Sequence, residues 1–137
     1  MKKYDNLELR IMSCLLIKPD LMKELIIQDK HFTKYQRLWK FLKAFYGRYN
    51  TFDLTLMVSV CNDKYQILNY IEWLLELEVT TNNFEMYQKQ LIDLYNESEK
   101  DKLIIEKVYE LANRLYVRDI TTGRFKELID KLYNADI

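Results

Sequence analysis

Apolar residues recur at helical spacing along almost the whole chain, and short polar stretches separate one apolar run from the next. This pattern predicts helices over about 6–17, 19–28, 34–46, 54–61 and 64–78, then a long helix from Phe84 to about Val117 and a last helix over about 123–135. The residues predicted to cap helices are Gly47 at a C-terminus, and Asp53, Asn82 (with Glu85 in a capping box) and Thr121 or Thr122 at N-termini. We therefore expect an all-α fold with a compact multi-helix globular part over about 1–95 and a C-terminal helical hairpin over about 97–137.

Composition agrees with this pattern. The chain has 137 residues, which is the size of one domain with one hydrophobic core. It contains 2 Gly and 1 Pro, and 49% of its residues are apolar, which favours helices with short connections over disorder or a turn-rich all-β fold. Lys plus Arg number 21 and Asp plus Glu number 21, so any binding to nucleic acid or anionic lipid must depend on a local patch.

The last two predicted helices differ in the width of their apolar faces. The apolar residues of the final helix fit an arc of about 140°, which suits one neighbour; they are Phe125, Leu128, Ile129, Leu132 and Tyr133. Those of the preceding helix spread over about 160°, which is wider than one packed helix would cover; they are Ile104, Ile105, Val108, Tyr109, Leu111, Ala112, Leu115 and Tyr116. The surplus could pack on the rest of the domain or on a second copy of the hairpin.

If a second copy covers the surplus, the chain is a homo-oligomer, a dimer or higher, that forms through the hairpin. The residues predicted to carry this self-association are Ile105, Val108, Tyr109, Ala112 and Tyr116. The polar turn between the two helices is then the expected contact for another protein, and its predicted partner-binding residues are Arg118, Asp119 and Arg124.

Four short motifs, in order and at similar spacing, resemble the N-terminal domain of the bacterial replicative DnaB-family helicases. They are Glu8 with the apolar run Ile11 to Leu16, Phe32 with Leu38 and Trp39 followed by Phe52-Asp53-Leu54, Tyr70 to Leu74, and Asn83 to Tyr87 after a threonine-rich approach. The resemblance covers Asn6 to Ala135. It implies a non-catalytic module of DNA replication that pairs through its hairpin and docks a replicative helicase, primase or helicase loader. The chain would be either an excised helicase domain or a small stand-alone relative from a phage or mobile element.

Catalytic and cofactor motifs are not apparent in the sequence. With two glycines in total the chain has no phosphate-binding loop of the G-x-x-x-x-G-K-[ST] type, so we expect no ATPase and no cofactor. His31 is the single histidine and stands at a predicted helix entry, where a surface or capping role is the simpler interpretation. Cys14 and Cys61 lie in separate apolar runs without ligand spacing, which predicts reduced, buried thiols and no metal site.

The charge pattern offers an alternative function. Between Asp29 and Asp53 the chain has no acidic residue, whereas its basic residues recur on the outer face of the third predicted helix. A nucleic-acid-binding accessory protein would use Lys34, Arg37, Lys40 and Lys43. The same face could instead meet the acidic segment 72–101 of another copy, or simply be solvated. A helical regulator unrelated to replication also stays open.

The N-terminal segment MKKYDNLELR lacks the apolar stretch of a signal peptide, and no segment approaches the length that spans a bilayer. We therefore expect a cytoplasmic protein without a membrane partner.

Overall fold

A computed structural model describes residues 6–61 and 66–134. In these residues the chain is all-α, as predicted. The helices are α1 (Leu7–Ile17), α2 (Gln36–Tyr49), α3 (Leu54–Val60), α4 (Ile67–Glu76), α5 (Phe84–Tyr116) and α6 (Thr122–Asn134), with short 3₁₀ helices at Pro19–Glu24, Asp29–His31 and Thr81–Asn83. The chain divides into two compact units, Met1–Asp93 and Leu94–Ile137.

Helix α1 lies at the centre of the first unit. Asn6 caps it, since its Oδ1 accepts a hydrogen bond of 2.7 Å from the Glu8 backbone N–H. A helix in the interior of a domain is apolar on most of its circumference, and α1 buries residues on all sides except its ends. It packs against α4, where the Ser13 hydroxyl donates a hydrogen bond of 2.6 Å to the Leu74 carbonyl oxygen.

The segment after α1 corrects the prediction of one helix over 19–28. A 3₁₀ helix ends at Glu24, and Leu25 is extended. The reason lies 62 residues away in the sequence, on α5. The buried Gln88 side chain accepts hydrogen bonds from the backbone N–H groups of Ile26 and Ile27, at 2.8 and 3.4 Å, and donates to the Glu24 carbonyl oxygen at 3.3 Å. These are backbone groups that a continuing helix would pair internally.

Helix α2 packs one face into the core, where Leu38, Trp39, Leu42 and Phe45 are buried. The Trp39 ring stacks on Phe32 with 4.3 Å between ring centroids. The predicted end of this helix is wrong: Gly47 lies inside it, and the C-cap is Asn50 at φ 55°, whose N–H donates to the Tyr46 carbonyl at 2.8 Å. Asparagine tolerates this left-handed conformation, so the helix continues for three more residues than expected.

The predicted N-cap of α3 is confirmed, because the Asp53 carboxylate accepts a hydrogen bond of 2.8 Å from the Leu56 N–H. Helix α4 buries Ile67, Ile71 and Leu74. The first residues of the helix predicted over 64–78 lie outside the described residues.

The start of α5 differs from the predicted capping box. A 3₁₀ helix at Thr81–Asn83 leads directly into Phe84, and no hydrogen bond joins Asn82 to Glu85 in the described chain. Glu85 instead pairs with Lys89 one turn along the helix, at 3.0 Å. Because the preceding 3₁₀ turn already runs into the helix, a side-chain cap is not required.

The second unit contains the end of α5, a turn over 117–121 and α6. Thr121 caps α6, since its Oγ1 accepts a hydrogen bond of 3.1 Å from the Arg124 N–H. The half-buried side chains over 104–134 are Ile104, Leu111, Arg114, Leu115, Ile120, Phe125, Leu128, Ile129 and Leu132. The partial burial of one row on each helix is consistent with the predicted hairpin.

Candidate interaction surfaces

The first candidate surface is an exposed apolar stripe on α5. It consists of the five residues predicted for self-association, Ile105, Val108, Tyr109, Ala112 and Tyr116, all of which are exposed. Tyr109 and Tyr116 leave 74% and 86% of their surface open. The stripe is separate from the half-buried row on the same helix, and at 100° per residue the centres of the two rows lie about 90° apart.

Two further exposed apolar residues lie on the same side of the second unit as this stripe. Leu94 is exposed, and helical periodicity places it in line with Ala112; it was missed because it precedes the polar segment 96–102. Tyr133 was predicted to face the neighbouring helix, and that prediction is wrong, since 87% of its surface is exposed. It stands about 90° from the packed row of α6. In an antiparallel hairpin this offset turns Tyr133 to the same side as the α5 stripe.

The turn of the hairpin is the second candidate surface. Arg118 has a left-handed backbone with φ 61°, and its N–H donates to the Leu115 carbonyl at 3.0 Å. The Asp119 carboxylate accepts a hydrogen bond of 3.2 Å from Arg114 Nε, and Arg124 pairs with Glu127 at 3.1 Å. Of the three predicted partner-binding residues, two therefore already have ion-pair partners within the second unit.

A cleft of about 760 Å³ opens at this turn. It is lined by Leu115, Tyr116, Arg118, Asp119, Ile120 and neighbouring threonines. The cleft combines an exposed aromatic ring with one acidic and one basic side chain, which is a suitable composition for binding a protein segment.

The third candidate surface is the outer face of α2. Lys34, Arg37, Lys40 and Lys43 are all exposed, as predicted from the pattern. Lys43, however, is already neutralised, because its Nζ lies 2.9 Å from Asp29 Oδ1. The hydrogen bond from Trp39 Nε1, at 2.8 Å, and the pairing with Lys43 hold the pKa of Asp29 below its usual range. Asp29 therefore remains ionised and reduces the charge at this end of the face.

Two buried titratable groups have structural partners. The carboxylate of Glu8 accepts hydrogen bonds from the backbone N–H groups of Lys34 and Tyr35, at 3.2 and 3.1 Å, and burial raises its pKa in spite of these bonds. His31 Nδ1 accepts a hydrogen bond of 2.8 Å from the Gln28 N–H, so this histidine caps its 3₁₀ turn. Burial, and secondarily the charge of Lys30, lowers the pKa of His31.

Both cysteines are free thiols, and Cys14 is buried as predicted. The prediction that Cys61 is buried is wrong, since it lies at the C-terminal end of the short helix α3 and is only half-buried. Burial raises the pKa of Cys14 to about 11. In residues 6–61 and 66–134, no three His, Cys, Asp or Glu side chains cluster in a way that could hold a metal ion. None of the helices in these ranges combines the length and the hydropathy that a bilayer span requires.

Comparison with protein-family models, with curated proteins and with solved structures gives no match to this chain.

Proposed function

We propose that this chain is a non-catalytic interaction module of DNA replication, which pairs with a second copy through its hairpin and docks a replicative helicase, primase or helicase loader. The pairing is supported by the exposed stripe on α5. The connection with replication is supported by the motifs that resemble the N-terminal domain of DnaB-family helicases, including Asp53 at its helix start and Asn83 to Tyr87 at the start of α5.

The observation that carries the pairing is the size of the apolar surface left open. Tyr109 and Tyr116 together expose roughly 300 Å², if each ring contributes an ordinary aromatic area. That is already as large as the biggest apolar patch on many monomers, about 300–600 Å². It is also more than a third of the roughly 800 Å² that each partner contributes to a standard interface. Ile105 and Val108 add to it.

The shape of the stripe fits a second copy of itself. Ala112 stands between two bulky side chains, three residues after Tyr109 and four before Tyr116. In an antiparallel pair of α5 helices centred between Tyr109 and Ala112, Tyr109 of each copy faces Ala112 of the other, and Tyr116 faces Ile105. A parallel pair in register would place Tyr109 opposite Tyr109 and Ala112 opposite Ala112. An antiparallel, two-fold interface therefore matches a large to a small residue at its centre.

Light scattering after size exclusion tests this pairing. The unchanged chain should have the mass of a dimer or higher oligomer, and V108E/A112E should be a folded monomer, because two carboxylates would be buried unpaired at the centre of the interface. The matched control is N96E/L103E, which adds the same charge on the opposite side of α5, where both residues are exposed. This control should keep the oligomer. A monomeric unchanged chain, or equal dissociation of both variants, would refute the pairing.

Docking is tested separately with purified replicative helicase, primase and loader immobilised in turn. We expect one of them to bind the chain, and R118E/R124E to lose most of this binding while its mass stays that of the unchanged chain. If none of the three binds, the replication role is wrong even if the dimer is correct. If binding survives R118E/R124E, the turn is not the docking site.

A further inference from the structure

The outer face of α2 carries a row of exposed basic side chains. Arg37, Lys40 and Arg48 fall within an arc of about 80° on this helix, and Lys34 precedes its first turn. Their side chains are exposed. Along the axis the row from Arg37 to Arg48 is about 16 Å long.

The ion pairs of the described residues leave three of these cations without a carboxylate partner. In the described chain no carboxylate lies within ion-pair distance of Lys34, Lys40 or Arg48. Glu8 is close enough to Lys34 for their charges to interact, but its oxygens are directed at backbone N–H groups. Asp29 pairs with Lys43 and accepts a hydrogen bond from Trp39, as described above. Its interaction with Lys40 is a weaker, longer-range attraction between the two charges. The nucleic-acid set proposed from the sequence therefore changes, with Arg48 taking the place of Lys43.

The residues between these cations on the helix face have small side chains. Ala44 and Gly47 lie in the same sector of α2, between Lys40 and Arg48. A Cβ atom added to Gly47 would meet nothing within 4 Å, and no positive φ requires a glycine there. Glycine inside a helix lowers the stability by about 0.5–1 kcal/mol relative to alanine, and no packing contact within the described residues requires a glycine at this position. An extended chain can thus approach the helix closely between the basic side chains.

An aromatic cleft adjoins the row at the start of α2. It has a volume of about 280 Å³ and is lined by Thr33, Lys34, Tyr35, Arg37 and Tyr70, among others. Tyr35 is buried, and Lys34 Nζ lies 5.5 Å from the centroid of its ring. The half-buried Tyr70 meets this ring edge to face, with centroids 5.6 Å apart, and is therefore the ring that a ligand can reach. Aromatic rings beside a basic row are the combination that binds single-stranded nucleic acid, since phosphates contact the cations and a base contacts the rings.

We propose that the outer face of α2 binds single-stranded nucleic acid, with Lys34, Arg37, Lys40 and Arg48 contacting phosphates and a base contacting Tyr70 in the adjoining cleft. This site is independent of the α5 stripe. Binding is sequence-tolerant, because these contacts address the backbone and the flat faces of bases.

Fluorescence anisotropy with a labelled oligo-dT 20-mer tests the proposal. Each phosphate contact to a single strand contributes about 0.7 to the slope of log affinity against log salt. Four contacts therefore predict a loss of about 50-fold between 50 and 200 mM NaCl. K34Q/K40Q should halve the slope, so that its affinity falls only about 7-fold over the same range. A duplex of equal length, which cannot place a base in the cleft, should bind more weakly than the single strand.

The matched control is K100Q/K107Q, which removes the same charge from exposed positions on α5. Its salt slope should equal that of the unchanged chain. The proposal fails if oligo-dT does not bind at 50 mM NaCl, if both double variants weaken binding equally, or if duplex binds as tightly. It also fails if K34Q/K40Q leaves oligo-dT binding unchanged but abolishes binding to phosphatidylserine vesicles or lowers the oligomer mass. Those results would assign the face to a membrane or to another copy.

Discussion

Glu8 should be a strong determinant of the stability of the first unit. We expect this effect to come from the hydrogen bonds that its side-chain oxygens accept and not from its negative charge. The residue is 4% exposed, and its carboxylate connects α1 to the turn that leads into α2. Glu8→Ala would leave the Tyr35 N–H without its partner in a buried position. An orphaned buried donor costs about 1–3 kcal/mol, and we expect E8A to lose about 2 kcal/mol of unfolding free energy at pH 7. The Lys34 N–H adds little, since water can replace its partner at an exposed residue.

Glu8→Gln separates the two contributions. Glutamine keeps an oxygen that can accept the Tyr35 hydrogen bond but removes the buried charge, so E8Q should be at least 1 kcal/mol more stable than E8A. The pH dependence has a definite sign. Because the folded pKa of Glu8 is raised above its ordinary value of 4.5, ionisation of this group is less favourable in the folded chain than in the unfolded chain. The resulting penalty is absent below pH 4.5, develops as the pH rises through the folded pKa and is constant above it.

Urea unfolding monitored by tryptophan fluorescence measures these differences, because Trp39 and Trp73 both belong to the first unit. At pH 4, 5.5 and 7 the stability of E8Q relative to the unchanged chain should improve with rising pH. E72Q, which changes an exposed carboxylate, should differ from the unchanged chain by less than about 0.5 kcal/mol throughout. An E8Q variant as unstable as E8A, or a difference that moves the opposite way with pH, would refute the reasoning.

Three further predictions concern other positions. Q88L should lose about 2–4 kcal/mol in the same urea assay, since it orphans the backbone groups that Gln88 now pairs, and a loss below 0.5 kcal/mol would contradict this role. G47A should gain about 0.5–1 kcal/mol, with A44G as its inverse control on the same helix face; a destabilised G47A would mean that the site is not open helix. In native protein at pH 8, the buried Cys14, with its pKa raised to about 11, should not react with a disulfide reagent. The C61S variant, which keeps only the Cys14 thiol, should therefore show no rapid thiol reaction in this assay. A rapid reaction of C61S would show that Cys14 is accessible.

Features that depend on neighbours in the sequence could be read from the sequence itself. Helical class, the extent of α5 and the caps Asp53 and Thr121 all follow from hydrogen bonds or side-chain periodicity within a few residues. The apolar surplus of α5 is of the same kind, because a stripe on one helix is determined by its own spacing. What the stripe binds does not follow from periodicity, so pairing with a second copy stays a prediction, which light scattering can test.

The tertiary structure alone decided features that depend on distant residues. The helix expected over 19–28 is interrupted because Gln88, more than 60 residues away, takes backbone groups that the helix would have used. Lys43 is removed from the basic face by Asp29, 14 residues earlier in the chain. Glu8 is buried by the turn before α2, which no local pattern reveals. In each case a polar side chain finds its partner across the fold, and such pairings are fixed by three-dimensional packing rather than by the period of the sequence.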